Sequence, residues 1–164
     1  TAAINCARQE DDLIFNGSKK LGIPGLLSTS GAATVKLEDW SKVGAAFDNM
    51  LAAVASLDEA GFYGPYTLGL APSLYNLLLR KYPQGSTTEM QHLQQLITGG
   101  IIKSPAIAEG GVLWAVGRQY ASIVLGQDLA TGFVGPTEDS LEFFVIESLT
   151  VRVNRPEAVC RIAP

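Results

Sequence analysis

The chain contains one histidine, two cysteines and no apolar run approaching the length of a membrane span. Each shortage excludes something. Cys6 and Cys160 sit near opposite ends without Cys-x-x-Cys spacing, so with His92 they offer no ligand cluster for a protein-only zinc site. His92 lies among Gln91, Gln94 and Gln95, with no nucleophile or orienting group in its segment, and reads as a solvated side chain rather than a general base. The cysteines read as two buried, reduced thiols, which points to a reducing compartment. A helix needs about 20 consecutive apolar residues to cross a bilayer, and neither such a run nor a signal-peptide pattern is visible. Charge is scarce as well. Only 17% of residues are charged, against about 25% in an ordinary domain. The net charge of −4 argues against nucleic acid, which is bound by clustered Lys and Arg. Lys19-Lys20 and Arg80-Lys81 are the only adjacent basic pairs.

What is present is apolar. Hydrophobic residues make up 47% of the 164, enough for a substantial core. With so few charges to coat a surface, part of the apolar surface is expected to meet another chain.

Hydrophobic spacing organises the chain. Residues 1–15 carry a helical stripe through Ile4, Ala7 and Ile14, stopped by Asn16-Gly17. A loop punctuated by glycine and proline follows, too apolar for a tether, with Leu21, Ile23, Leu26 and Leu27. Residues 34–37 suit a short strand. The spacing of Trp40, Val43, Phe47, Met50, Leu51, Val54 and Leu57 predicts a long helix from Glu38 to a stop at Gly61. Tyr66, Leu68 and Leu70 alternate as in a strand. Two short helices are expected from Ser73 and from Thr87 or Thr88, joined by a small polar loop. From Ile101 the period switches to two, and the longest candidate strand runs through Leu141, Phe143, Val145, Glu147, Leu149, Val151 and Val153. About thirteen residues is long for one strand, which suits a ribbon or a sheet crossover. The mixture is α+β, not a βαβ series.

Read for active sites, the sequence is nearly silent. Glu10-Asp11-Asp12, Glu38-Asp39, Asp58-Glu59 and Glu138-Asp139 are adjacent pairs whose side chains diverge, so they read as solvated faces and not acid–base dyads. Gly99-Gly100 and Gly110-Gly111 lack the continuation that a phosphate cradle needs.

Five stretches together carry a resemblance: "RQEDDLIFNGSKKLGIPGLL", "GPYTLGLAPSLYNLL", "GGIIKSPAI", "LGQDLATGFVG" and "FVIESLTVRVNRPEAVCRI". In order and in register, they resemble the encapsulins, the prokaryotic nanocompartment shell proteins also labelled linocin M18-type bacteriocins. The resemblance implies the tailed-phage capsid (HK97-like) fold, with an axial domain and part of a peripheral domain. Residues 1–33 would then be the end of a spine helix with its loop, 34–122 the axial domain, and 123–164 the return strands of the peripheral domain. Encapsulins place an N-terminal arm, a helix and an extended loop before the spine helix. Against that pattern the chain reads as N-terminally truncated, a form whose assembly is in question. The implied function is structural, with no catalysis, no cofactor and no metal. The implied partners are identical subunits in an icosahedral homo-oligomer and the C-terminal targeting peptide of a cargo, such as a dye-decolourising peroxidase or a ferritin-like protein. Nucleic acid and membrane are not expected, and the implied location is the prokaryotic cytoplasm. By the same resemblance, Tyr82, Pro83, Gln84, Gly85, Ser86, Thr87 and Thr88 would line a pore, and Asp128 and Leu129 would contact cargo. Two other readings share these features. A secreted linocin-type bacteriocin fits poorly with the negative charge and the lack of a cationic amphipathic helix; a phage major capsid protein of the same fold fits well.

Overall fold

The computed structural model describes residues 2–164; Thr1, at the head of the first expected helix, lies outside them. Helix α1 spans Ala2–Asn16 and buries Phe15. Gly17, at φ 75°, turns the chain out of the helix. Its Cα lies hard against the backbone of 23–25, leaving no room for a side chain. That close approach makes a two-rung hairpin of β1 (Gly17–Ser18) and β2 (Ile23–Pro24). The apolar loop therefore divides: Leu26 is buried and Leu27 half-buried, while Leu21 stands 68% exposed at the hairpin turn.

Strand β3 covers Ala33–Lys36. The long helix expected from Glu38 begins seven residues later, as α2 at Ala45–Glu59. Gly44 adopts φ 96°, a left-handed conformation in which a helix cannot continue. Trp40 still reaches the core, 2% exposed, because Asn49 holds the segment down. The Asn49 Oδ1 accepts from Trp40 Nε1 and from the Glu38 N–H, each at 3.0 Å, and its Nδ2 donates to the Lys36 carbonyl at 3.0 Å. The helical spacing of Trp40 was coincidental; Val43 and Leu51, counted in the same stripe, are exposed. Gly61, at φ 88°, follows the helix as expected.

Strand β4 (Tyr66–Leu70) is buried along its whole length, so its alternation divides two covered faces and not core from solvent. Helices α3 (Pro72–Leu77) and α4 (Glu89–Leu96) follow. Thr88 caps α4 in a reciprocal capping box with Gln91, as its position predicts. The remaining elements are β5 (Gly100–Lys103), β6 (Gly111–Ala115), β7 (Ala121–Pro136), β8 (Leu141–Val153), a single 3-10 turn at Pro156–Ala158, and β9 (Val159–Ala163).

Five strands form a mixed sheet in the order β3-β9-β6-β4-β5. β3 runs parallel to β9, and β4 parallel to β5, while β6 is antiparallel to both its neighbours. Residues 159–163, read from sequence with the peripheral return strands, thus lie inside this sheet. One face packs Leu68, Leu113, Cys160 and Ile162 against Met50 and Leu57 of α2 and Leu93 of α4. The other face packs Val112 and Val159 against Phe15, Leu26 and Ile107. Gly69 makes that second contact possible, since the Phe15 ring lies over it where a side chain would otherwise stand.

The long strand is half of a separate two-stranded ribbon. β7 pairs with β8 alone, antiparallel, from Ala121↔Val153 at the base to Pro136↔Leu141 at the tip. At about 3.3 Å per residue the ribbon is roughly 40 Å long. Its partner strand was only half legible, because residues 127–136 lack strict alternation. Three register shifts, at 125/127, 127/130 and 133/135, explain why. Near the base the predicted face of β8 is the covered one, with Val145, Glu147 and Leu149 half-buried beside α1 and Val151 buried. Toward the tip both faces are open.

Candidate assembly and cargo surfaces

Two places collect the residues singled out from sequence. The first is the loop between α3 and α4. Its neck is closed by the Lys81↔Thr88 bridge, a bond from the Tyr82 N–H to the Thr87 carbonyl (3.1 Å) and one from the Glu89 N–H to the Arg80 carbonyl (3.1 Å). Pro83, Gln84, Gly85, Ser86 and Thr87 are exposed beyond that neck, while Tyr82 and Thr88 are half-buried at it. The seven residues therefore share one narrow projecting loop.

His92 belongs to this place too, contrary to the expectation of a fully solvated side chain. It is half-buried, with its ring 4.7 Å from that of Tyr82. Burial pushes the Tyr82 hydroxyl above its ordinary pKa, helped by the negative charges of Glu89 and Asp48. The signal available in sequence was the position of His92 one turn after Thr88, which returns it toward the loop neck.

Beneath the neck lies an ion pair whose carboxylate is buried and whose guanidinium side chain is 31% exposed. Glu89 is fully buried; its Oε1 accepts from the Gly44 N–H (2.7 Å) and its Oε2 from Arg80 Nη2 (3.0 Å). Arg80 also donates to the carbonyls of Leu77 (2.9 Å), Ser41 (2.8 Å) and Trp40. One guanidinium thus ties the 38–44 segment to the base of the loop.

The second place is the junction of α1 with the ribbon. Asp128 and Leu129 occupy a bulge: between Gln127↔Ser148 and Ala130↔Ile146 they oppose Glu147 alone. Asp128 Oδ1 accepts from the Leu129 N–H (2.8 Å), and the Leu129 side chain is 47% exposed. A shallow groove joins these two residues to Ala3, Ala7 and Glu10 of α1 and to Ile123 and Glu147 of the ribbon. A second groove, on the other side of α1, runs past Cys6, Leu13, Leu21 and Val145.

Glu10 ties the two grooves together and was not singled out from sequence. Desolvation raises its carboxyl pKa above 4.5, with further upward push from the charges of Glu147, Asp11 and Asp128. A carboxyl whose folded pKa exceeds the unfolded one holds its proton more tightly when folded. Its contribution favours the folded state in acid and declines as pH rises from 4.5 through the raised value.

The two cysteines are free. Cys160 is buried, and desolvation pushes its thiol up to about 11; Cys6 is half-buried in the second groove, not in the core. Among the described residues no group of three or more His, Cys, Asp or Glu could hold a metal ion, and no helix is long and apolar enough to cross a membrane.

The family model described as "Encapsulating protein for peroxidase" (Linocin_M18) matches residues 1–150. The type 1 encapsulin shell protein EncA of Myxococcus xanthus is 35% identical over 162 residues, 98% of this chain and 56% of the relative. The chain thus spans about half the length of that relative. The structure superposes on the virus-like particle protein of Pyrococcus furiosus with a TM-score of 0.82 and 27% identity, covering 95% of this chain and 63% of the other. The capsid of phage XM1 matches with a TM-score of 0.72 at 11% identity, covering 98% and 63%, which shows the shared tailed-phage capsid fold. On the family model and these likenesses together, the chain belongs to the Linocin_M18 family, the encapsulin shell proteins.

Proposed function

We propose that this chain is the structural part of a nanocompartment shell, whose copies close around a cargo protein. The observation that carries the reading is the ribbon, set on a phage-capsid fold: β7 and β8 pair only with each other and carry a row of exposed apolar side chains. Such a surface is stable in water when another chain covers it. Closed shells arise from heterologous contacts whose rotations close on themselves. Electron microscopy of the protein isolated from its native cells is expected to show closed particles; a monomeric protein there would overturn the reading.

Within that shell residues 34–122 are the axial domain and the loop 82–88 borders a pore. The support is its projection from a closed neck and its uncharged, mostly small side chains, which impose no strong charge preference on passing ions. Ser86→Asp in assembled particles is expected to speed cation entry by about tenfold or less, measured with an encapsulated dye. Unchanged entry removes the loop from the pore.

The groove between α1 and the bulge is the cargo dock, taking a short targeting peptide of an enzyme such as a peroxidase or a ferritin-like protein. Leu129 supplies an apolar contact and Asp128 a polar one. Many weak docks inside one particle add by avidity. Leu129→Ala is expected to weaken capture of a tagged cargo peptide by about 1–3 kcal/mol, with the thermal midpoint of the shell protein unchanged; equal capture would place the dock elsewhere. A phage capsid reading shares the fold, and a captured cargo enzyme is what separates the two.

A further inference from the structure

The charge on this chain is divided unevenly. Residues 121–151 hold five of its sixteen carboxylates, at Asp128, Glu138, Asp139, Glu142 and Glu147, and none of its twelve Lys and Arg. The distal half of the ribbon also exposes large apolar side chains. Phe133, Val134, Leu141, Phe143, Phe144 and Ile146 are each between 45% and 63% exposed. The Phe133 and Phe143 rings pack at 5.2 Å, and the far end of the Phe144 ring fills the space above Gly132 on the paired strand. The tip is thus an apolar wedge rimmed by Glu138, Asp139 and Glu142.

Elsewhere on the chain is a surface of the opposite kind. Lys19, Lys20 and Leu21 form the exposed turn of the β1–β2 hairpin. Beside them a shallow depression is lined by Arg8, Gln9, Leu13, Ser18 and Leu21. Its one carboxylate, Asp12, accepts a hydrogen bond from Asn16 Nδ2 at 2.7 Å. Among the described residues neither lysine forms an ion pair, and neither do the carboxylates of the tip. They do not meet within one molecule, since the hairpin lies against the 145–149 stretch of β8 and the tip lies beyond it.

We infer that the ribbon tip of one copy docks on the β1–β2 hairpin of the next, with Phe133 and Phe143 in the depression beside Leu21 and Lys19 and Lys20 facing Glu138 and Asp139. The inference rests on the reading that copies of this chain assemble, and it names the contact. Because the two surfaces differ, the contact is heterologous, and a rotation that closes makes a ring of copies, not a two-fold dimer. An anionic membrane would repel the same tip, which leaves a basic protein surface as its complement. The hairpin supplies one with matched apolar content.

Charge reversal tests it on the 164-residue chain by sedimentation velocity at low salt. Lys19→Glu/Lys20→Glu and Glu138→Lys/Asp139→Lys are each expected to weaken self-association by about tenfold or more. All four positions are exposed, so urea midpoints stay unchanged. An equimolar mixture of the two variants, and the chain carrying all four changes, are expected to associate as the parent does. Zero-length carbodiimide coupling of mixed isotope-labelled copies should join Lys19 or Lys20 of one copy to Glu138 or Asp139 of another. If the parent assembles and the reversals leave it unmoved, or weaken it without rescue, this contact is wrong while the shell reading stands. If the parent remains monomeric at every concentration, the contact and assembly of this chain fall together.

Discussion

Arg80→Met is expected to lower the unfolding free energy by about 3–5 kcal/mol, the usual cost of leaving a buried charge without its partner. Glu89 has no access to water, so after the substitution only the Gly44 N–H would still answer its carboxylate. The carbonyls of Ser41 and Trp40 would lose their donor at the same time, while that of Leu77 keeps the Arg80 backbone N–H. Urea unfolding measures the loss, and hydrogen exchange should show faster exchange at the Tyr82 amide, whose bond closes the loop neck. The double change Arg80→Met/Glu89→Leu is expected to recover most of it, because it removes both charges together. A double variant as unstable as the single one would mean that the guanidinium matters through the carbonyls it gathers.

Trp40→Ala is expected to cost about 3–5 kcal/mol, the range for deleting a large buried aromatic. Trp40 is 2% exposed, and its loss opens a cavity between the 38–44 segment and α2. Trp40→Phe separates the two contributions. It retains most of the packing but leaves the Asn49 Oδ1 with one donor, the Glu38 N–H. That change is expected to cost about 1–2 kcal/mol. Thermal or urea unfolding reads both; equal losses would assign the whole effect to the hydrogen bond.

These two sites also mark where the sequence was legible and where it was not. Local chemistry that acts within a few residues could be read directly. Thr87 or Thr88 looked like a helix cap and Thr88 is one, Gly61 looked like a stop and is one, and the period-two run from Leu141 is a strand of thirteen residues. What failed depends on partners far along the chain. The start of α2 is set by Gly44, whose N–H is held by Glu89 at 45 residues' distance. No spacing rule around Trp40 contains that information. The second strand of the ribbon was obscured because its bulges break alternation, and a bulge is visible only against the strand it faces. The grooves show the same division. Asp128 and Leu129 came from resemblance, whereas Glu10 and Glu147 join them only because α1 lies along the ribbon base.

The strand order of the central sheet carries a consequence for synthesis. β9 follows every other strand of the central sheet in the sequence, yet it sits second from the edge, between β3 and β6. Ala33 pairs with Cys160, so its rung waits for more than a hundred residues to be translated. Chains grow by about 5–20 residues per second, so β6 spends seconds with an unclosed flank. Synthesis of β9, and not the earlier folding of helices or ribbon, is the event that closes the central sheet.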